Sequence, residues 1–166
     1  MHKNIILIGM PGSGKSTLGV VLAKVLGMGF SDMDLLIMQR SGRRLQEILD
    51  EDGLEAFLKV EEETILSVTG ENMVFATGGS AVLSDRAMQH LKTLGTIVYL
   101  NVPYTVLEKR IKNMSTRGIA SAPGQTLADI YKYRTPLYEK YADITVAPKN
   151  KKFEQTVDEI ILSLDA

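Results

Sequence analysis

Short aliphatic runs alternate along the chain with longer stretches whose apolar positions recur at helical spacing. Asn4–Ile8 (NIILI) is apolar almost throughout and stops at Gly9, the pattern of a strand buried on both faces. Over Lys15–Leu26, Leu18, Val21, Leu22 and Val25 share one helical stripe. Gly29–Met33 reads as a second short strand, followed by a mostly helical region, Asp34–Val68, broken near Gly42 and Gly53. Met73–Ala76 and Thr96–Val102 (TIVYLNV) read as buried strands, with helices expected over Ser84–Leu94 and Tyr104–Lys112. Residues Asn113–Gln125 carry two glycines, Pro123 and no apolar period, so a mobile loop is expected there. Thr126 and Asp129 stand at capping-box spacing and open a helix to about Tyr141. Ile144–Val146 is a last short strand and Phe153–Leu164 a terminal amphipathic helix. This alternation predicts an α/β fold: one domain over residues 1–166, in three layers, around a mainly parallel sheet.

Composition narrows the chemistry. The 166 residues are 45% hydrophobic and 23% charged, which excludes collagenous, disordered and coiled-coil chains. Nineteen basic against twenty acidic side chains give a net charge of −1, without the basic excess of a dedicated nucleic-acid binder. With no cysteine, disulfides, zinc-thiolate sites and thiol catalysis are excluded. No apolar run approaches a membrane span, and Ile5–Ile8 is too short for a signal peptide. The expected setting is the cytoplasm, with no membrane partner.

Gly9–Met10–Pro11–Gly12–Ser13–Gly14–Lys15–Ser16 fits G-x-x-x-x-G-K-[ST] at every fixed position, between an expected strand and an expected helix. Backbone N–H groups of such a loop converge on phosphate oxygens, and the following helix turns its positive end toward the same anion. Lys15 is placed to reach the β and γ phosphates and the Ser16 hydroxyl to ligate Mg²⁺. Asp32 and Asp34, at i and i+2 of the second expected strand, are expected to share one face at the carboxyl end of the sheet. There one carboxylate would serve the magnesium shell, and the other would orient or deprotonate an acceptor hydroxyl. Thr77–Gly78–Gly79–Ser80 allows backbone to approach a ligand closely, and Arg117 falls in the expected mobile loop, Arg134 on the helix after it. Arg43, Arg44 and Arg86 read as solvated, and His2 and His90 have no partner pattern.

These residues resemble the shikimate kinase family over nearly the whole chain: the phosphate loop, D-x-D at Asp32 and Asp34, the glycines of Ala76–Gly79, Arg134–Thr135–Pro136–Leu137–Tyr138, and Ala142–Asp143–Ile144. The resemblance implies a five-stranded parallel sheet of the nucleoside-monophosphate-kinase type, with a lid over about residues 113–125 and a substrate-binding helical segment over about 34–68. It implies a monomer that transfers the ATP γ-phosphoryl group to the 3-hydroxyl of shikimate. Nucleotide contacts would come from Gly12, Ser13, Gly14, Lys15, Ser16 and Thr17. Arg110 would stack on adenine, and Arg117 would meet the phosphates. Mg²⁺ would be held by Ser16 and, through water, Asp32. Acceptor contacts would come from Asp34, Gly78, Gly79, Ser80 and Arg134, with Lys15, Asp34 and Arg117 catalytic.

Three stretches depart from the family pattern. Gly53–Leu54–Glu55–Ala56–Phe57–Leu58–Lys59–Val60–Glu61 carries Leu58 where the family's arginine grips the shikimate carboxylate. Lys59 is about 100° away around a helix and lacks the bidentate fork. Ser80 replaces the third glycine, and Arg117–Gly118–Ile119 replaces arginine–proline–leucine. A kinase of another small hydroxy acid, sugar acid or hydroxy amino acid is therefore a second reading. A nucleotide-dependent switch is a third, weakened because Asn150–Lys151–Lys152–Phe153 lacks the aspartate of N-K-x-D.

Overall fold

In the computed structural model, which describes residues 3–112, 119–148 and 152–166, the run Asn4–Ile8 forms the central strand β1, every residue of it buried. The other strands are β2 (Gly29–Asp32), β3 (Met73–Ala76), β4 (Gly95–Leu100) and β5 (Ile144–Val146), all parallel in the order β2-β3-β1-β4-β5. The helices are α1 (Lys15–Leu26), α2 (Met33–Ser41), α3 (Leu45–Asp52), α4 (Leu54–Leu66), α5 (Asp85–Leu94), α6 (Tyr104–Lys112), α7 (Leu127–Tyr141) and α8 (Phe153–Leu164). Among the described residues, no helix is long and apolar enough to cross a membrane.

The alternation of side chains along β1 builds the three layers. Ile5 and Leu7 pack with Leu18 and Leu22 of α1 and with Val157 and Ile160 of α8. Ile6 and Ile8 face the opposite way, toward Met88 and Leu91 of α5 and Ile130 and Tyr138 of α7. Burying an aliphatic side chain of this size stabilises by roughly 1.5–3 kcal/mol, so a strand wholly inside both clusters anchors the sheet. Asn4 is buried but satisfied: its Nδ2 donates to the Gly70 and Leu94 carbonyls, and its Oδ1 accepts from the Met73 N–H.

Several boundaries differ from the expectation, each for a local reason. The second strand ends at Asp32 rather than Met33, because Asp32 Oδ1 accepts from the Asp34 N–H at 2.9 Å and so caps α2. The fourth strand runs from Gly95 to Leu100 and not to Val102, whose N–H turns back onto the Leu100 carbonyl ahead of Pro103. Ser84 stands outside α5 as its cap, its hydroxyl accepting from the Ala87 N–H. A 3-10 turn at Ala81–Leu83 had no counterpart in the pattern.

Candidate active site

The loop between β1 and α1 folds around its own lysine. Gly14 caps α1 at φ +88°, a left-handed conformation that a side chain would strain, and offers the helix no side-chain cap. The first N–H groups of α1 are thus directed at the loop's concave side. Lys15 is buried, its Nζ donating to the Gly9 carbonyl at 2.7 Å and the Met10 carbonyl at 2.8 Å, with Ser13 Oγ at 3.3 Å. Ser16 Oγ donates to Asp32 Oδ2 at 2.6 Å.

Asp32 and Asp34 do not form the expected strand pair. Asp32 ends the strand and points back to Ser16, whereas Asp34 lies in the first turn of α2 and faces the cavity. The two carboxylates serve different places because the helix starts between them.

A cavity of about 600 Å³ runs along the carboxyl ends of the strands. Gly12, Gly14, Ser16, Thr17 and Arg110 line one part of it, and Asp34, Gly78, Ser80 and Arg134 another. Lys15, which faces Glu61, and Gly79, set against Pro11 of the loop, join the two. Ser13 lies behind the loop, in contact with Lys15 and a smaller pocket near Leu18 and Thr156. Arg117 lies outside the described residues. Arg110 donates through Nη1 to the Gly12 carbonyl at 2.9 Å and so sits beside the loop.

The second part of the cavity contains groups the sequence had not singled out. Glu61, on α4, is buried and accepts on Oε1 from Ser80 Oγ at 2.7 Å. A Cβ at Gly78 would lie 2.8 Å from both Glu61 Oε2 and Asp34 Oδ1, so glycine is required there for the two carboxylates to approach the backbone. Arg134 is 3% exposed; its Nη2 donates to the Ala120 carbonyl, and among the described residues its Nη1 has no hydrogen-bond partner. Phe57 lends an apolar wall, and Phe153, at the start of α8, stands beside Gly14 and Arg110.

Leu58 does not line this cavity. It packs against the cluster of Ile37, Ile48, Phe57 and Ala120, and with Lys59 borders a second cavity of about 240 Å³. Glu61 and Ser80 line both cavities and form the partition between them. Among the solvated readings, Arg43 pairs with Glu51 and Asp52, and Arg86 lies 3.7 Å from Glu62. His90 Nε2 bonds to the Val68 carbonyl, a packing role.

Burial pushes the Glu61 carboxyl up from 4.5 to about 7, opposed by the Ser80 hydrogen bond and raised further by Asp34. The neutral acid is therefore favoured by folding. Its contribution is fully present below the unfolded value near 4.5 and is lost as pH rises through about 7, a change of the order of 3 kcal/mol. Glu61→Gln removes this dependence. Thermal melts should show the variant gaining on the parent protein between acidic and mildly alkaline pH; parallel melting curves across that range would contradict the assignment.

Comparison with known proteins agrees with the geometry. The family model described as Shikimate kinase matches residues 11–165. The shikimate kinase of Pasteurella multocida is 37% identical over 98% of this chain and 95% of its own length. The structure of shikimate kinase from Acinetobacter baumannii in complex with shikimate superposes with a TM-score of 0.90 at 30% identity, covering 99% of this chain and 94% of that one. The Aquifex aeolicus enzyme gives 0.84 at 34% identity, covering 98% and 96%.

Proposed function

The chain belongs to the shikimate kinase family, and on that footing we propose that it transfers the γ-phosphoryl group of ATP to the 3-hydroxyl of shikimate. The observation that carries this reading is one cavity lined by both the phosphate loop and the side chains of Asp34 and Arg134. On nucleotide binding, Lys15 exchanges its loop carbonyls for the β and γ phosphates. Arg134, which lines the cavity, holds the acceptor's carboxylate. Asp34 receives the hydroxyl proton as the acceptor oxygen bonds to Pγ and the bond from Pγ to the β-phosphate oxygen breaks, releasing ADP. Arg117 is assigned to the transferring phosphoryl from the family resemblance.

Ser16 Oγ and Asp32 Oδ2, two hard oxygen donors 2.6 Å apart beside the loop, fit Mg²⁺. Among the described residues no group of three His, Asp or Glu side chains surrounds a metal position, consistent with an ion whose other ligands are phosphate oxygens and water. Bound there, Mg²⁺ would neutralise charge on the β and γ phosphates.

Arg110 and Phe153 together suit an adenine ring. A Cβ at Gly14 would lie 3.7 Å from the Phe153 ring and 3.8 Å from Arg110 Nη1, so a guanidinium and a half-exposed aromatic face the same space. Phe153→Ala should raise KM for ATP by about three- to tenfold, the usual worth of an aromatic stack, with little change in kcat. Initial rates at varied ATP decide it, and an unchanged KM removes Phe153 from the nucleotide site.

A second acceptor is favoured by one observation: Leu58 does not line the cavity, so α4 supplies no cation beside Arg134. A coupled ADP-release assay with ATP and Mg²⁺ tests both readings, with shikimate beside quinate, gluconate and homoserine. Turnover on shikimate well above the others establishes the proposal. Turnover on another acid alone replaces the substrate, and ADP release independent of any acceptor replaces the kinase reading with an ATPase or switch.

A further inference from the structure

Glu61 is the only carboxylate among the described residues that is buried to this degree, and it lies in the wall of the acceptor pocket. Among those residues no ion pair joins it; a neutral hydroxyl, Ser80 Oγ, holds its Oε1 at 2.7 Å. Its Oε2 and Asp34 Oδ1 crowd the same face of Gly78. The charged and titratable groups facing it are Asp34 from α2, Lys15 from the phosphate loop, and Arg134 and Tyr138 from α7. On its own helix, Lys59 and Glu62 border the smaller cavity behind it, and Lys59 is exposed at that cavity's edge.

We propose that the acceptor anion enters this pocket together with a proton, which Glu61 takes up, so that the neutral, Ser80-held carboxyl is the binding form of the site. The inference rests on the reading that a carboxylate-bearing acceptor docks on Arg134. Ionised Glu61 competes for the field of Arg134 and adds its charge to that of Asp34. A ligand carboxylate would be a third negative charge in a buried site of low dielectric. Protonating Glu61 removes one of the three and leaves Arg134 to the ligand. Solvent supplies the proton, and no bond other than O–H forms or breaks.

Burial already holds the empty-site carboxyl at about 7, so near neutral pH the anion needs to recruit only part of a proton. Ser80 acts as a positioning residue here. Its hydroxyl donates to the ionised form more strongly than to the neutral one and so restrains the protonation that binding requires.

Calorimetric titration of the ADP-loaded protein with shikimate, in buffers of different ionisation enthalpy, reads the proton directly. With the free carboxyl at about 7, uptake of about half a proton is expected near neutral pH. Above that, Kd should rise by about tenfold per pH unit until the bound form also ionises. In Glu61→Gln, uptake should vanish and Kd should become independent of pH. In Ser80→Ala, uptake near neutral pH should fall and the onset of weakening should move to higher pH. Leu58→Arg, which places a guanidinium across the smaller cavity from Glu61, should also suppress uptake. Shikimate binding to the parent protein with no proton uptake and a flat pH profile overturns the inference alone, as does uptake that survives in Glu61→Gln. Failure of shikimate to bind at any pH, with ADP bound, overturns the acceptor reading beneath it. Because the parent protein and Ser80→Ala already decide the matter, a poorly folding Glu61→Gln does not rescue the idea.

Discussion

Lys15→Ala should lower kcat for phosphoryl transfer by about a hundred- to a thousandfold while leaving the fold intact, the scale expected when a preorganised charge is withdrawn from a developing anion. The lysine is the first residue of α1, and its ammonium is held in the loop by the Gly9 and Met10 carbonyls at 2.7 and 2.8 Å. Those carbonyls hold the side chain within the loop before the nucleotide arrives, and the phosphates then take their place. Removing it deletes a buried charge together with its desolvation cost, and the Met10 carbonyl keeps the Ser13 N–H at 3.1 Å. Stability should therefore move much less than rate. Single-turnover transfer, read beside circular dichroism and a thermal melt, separates the two. Transfer within tenfold of the parent protein, by a folded variant, would place the phosphate site elsewhere.

The phosphate loop was legible because its chemistry and its local structure are the same fact: a strand, a glycine turn and a helix start within one continuous segment. Buried strands were legible for a similar reason, since Asn4–Ile8 has no polar face to present. The two aspartates were assigned to the right region and the wrong geometry. Alternation along a strand puts i and i+2 on one face, but Asp32 ends its own strand by capping the next helix, and a three-residue string does not show which rule wins. Glu61 closes the Gly53–Glu61 stretch already set against the family pattern, but nothing along the chain marked it as buried. Phe57 and Glu61 share a helical face by spacing, yet a glutamate on a helix with mixed neighbours reads as solvated. Only the packing of α4 beside the Gly78 turn buries it. Phe153 was hidden in the same way, as the first residue of an amphipathic helix whose return against α1 brings it to Gly14.

Leu58 carries the lesson furthest. Its departure from the family pattern was visible in the sequence, as was that of Ser80, but not the relation between them. The structure sets both on the partition around Glu61, with Leu58 in the apolar cluster behind it and the Ser80 hydroxyl on the carboxylate itself. Two substitutions that look independent along the chain therefore bear on one buried group. Additivity between variants at positions 58, 61 and 80 is expected to fail accordingly.

The second large effect is expected at Arg134, where folding and function should separate in opposite directions. A guanidinium 3% exposed, with Nη2 on the Ala120 carbonyl and Nη1 without a hydrogen-bond partner among the described residues, is an expensive thing to bury in the empty protein. Arg134→Met keeps much of the volume and removes the charge, so the melting temperature should stay level or rise. Acceptor binding should suffer as it does when one partner of a buried ion pair is lost, by about 2–5 kcal/mol, or roughly thirtyfold to a few thousandfold in KM for shikimate. KM for ATP should change little, because the phosphate loop and Arg110 line another part of the cavity. Arg134→Lys should recover only part of the loss, since an ammonium restores the charge without the two-pronged geometry. Steady-state kinetics at varied shikimate and ATP, set beside melting curves, test both halves. A variant that loses stability and acceptor affinity together would make Arg134 a structural residue, whereas a stable protein that cannot hold its acceptor fits an arginine whose open valence is meant for the ligand.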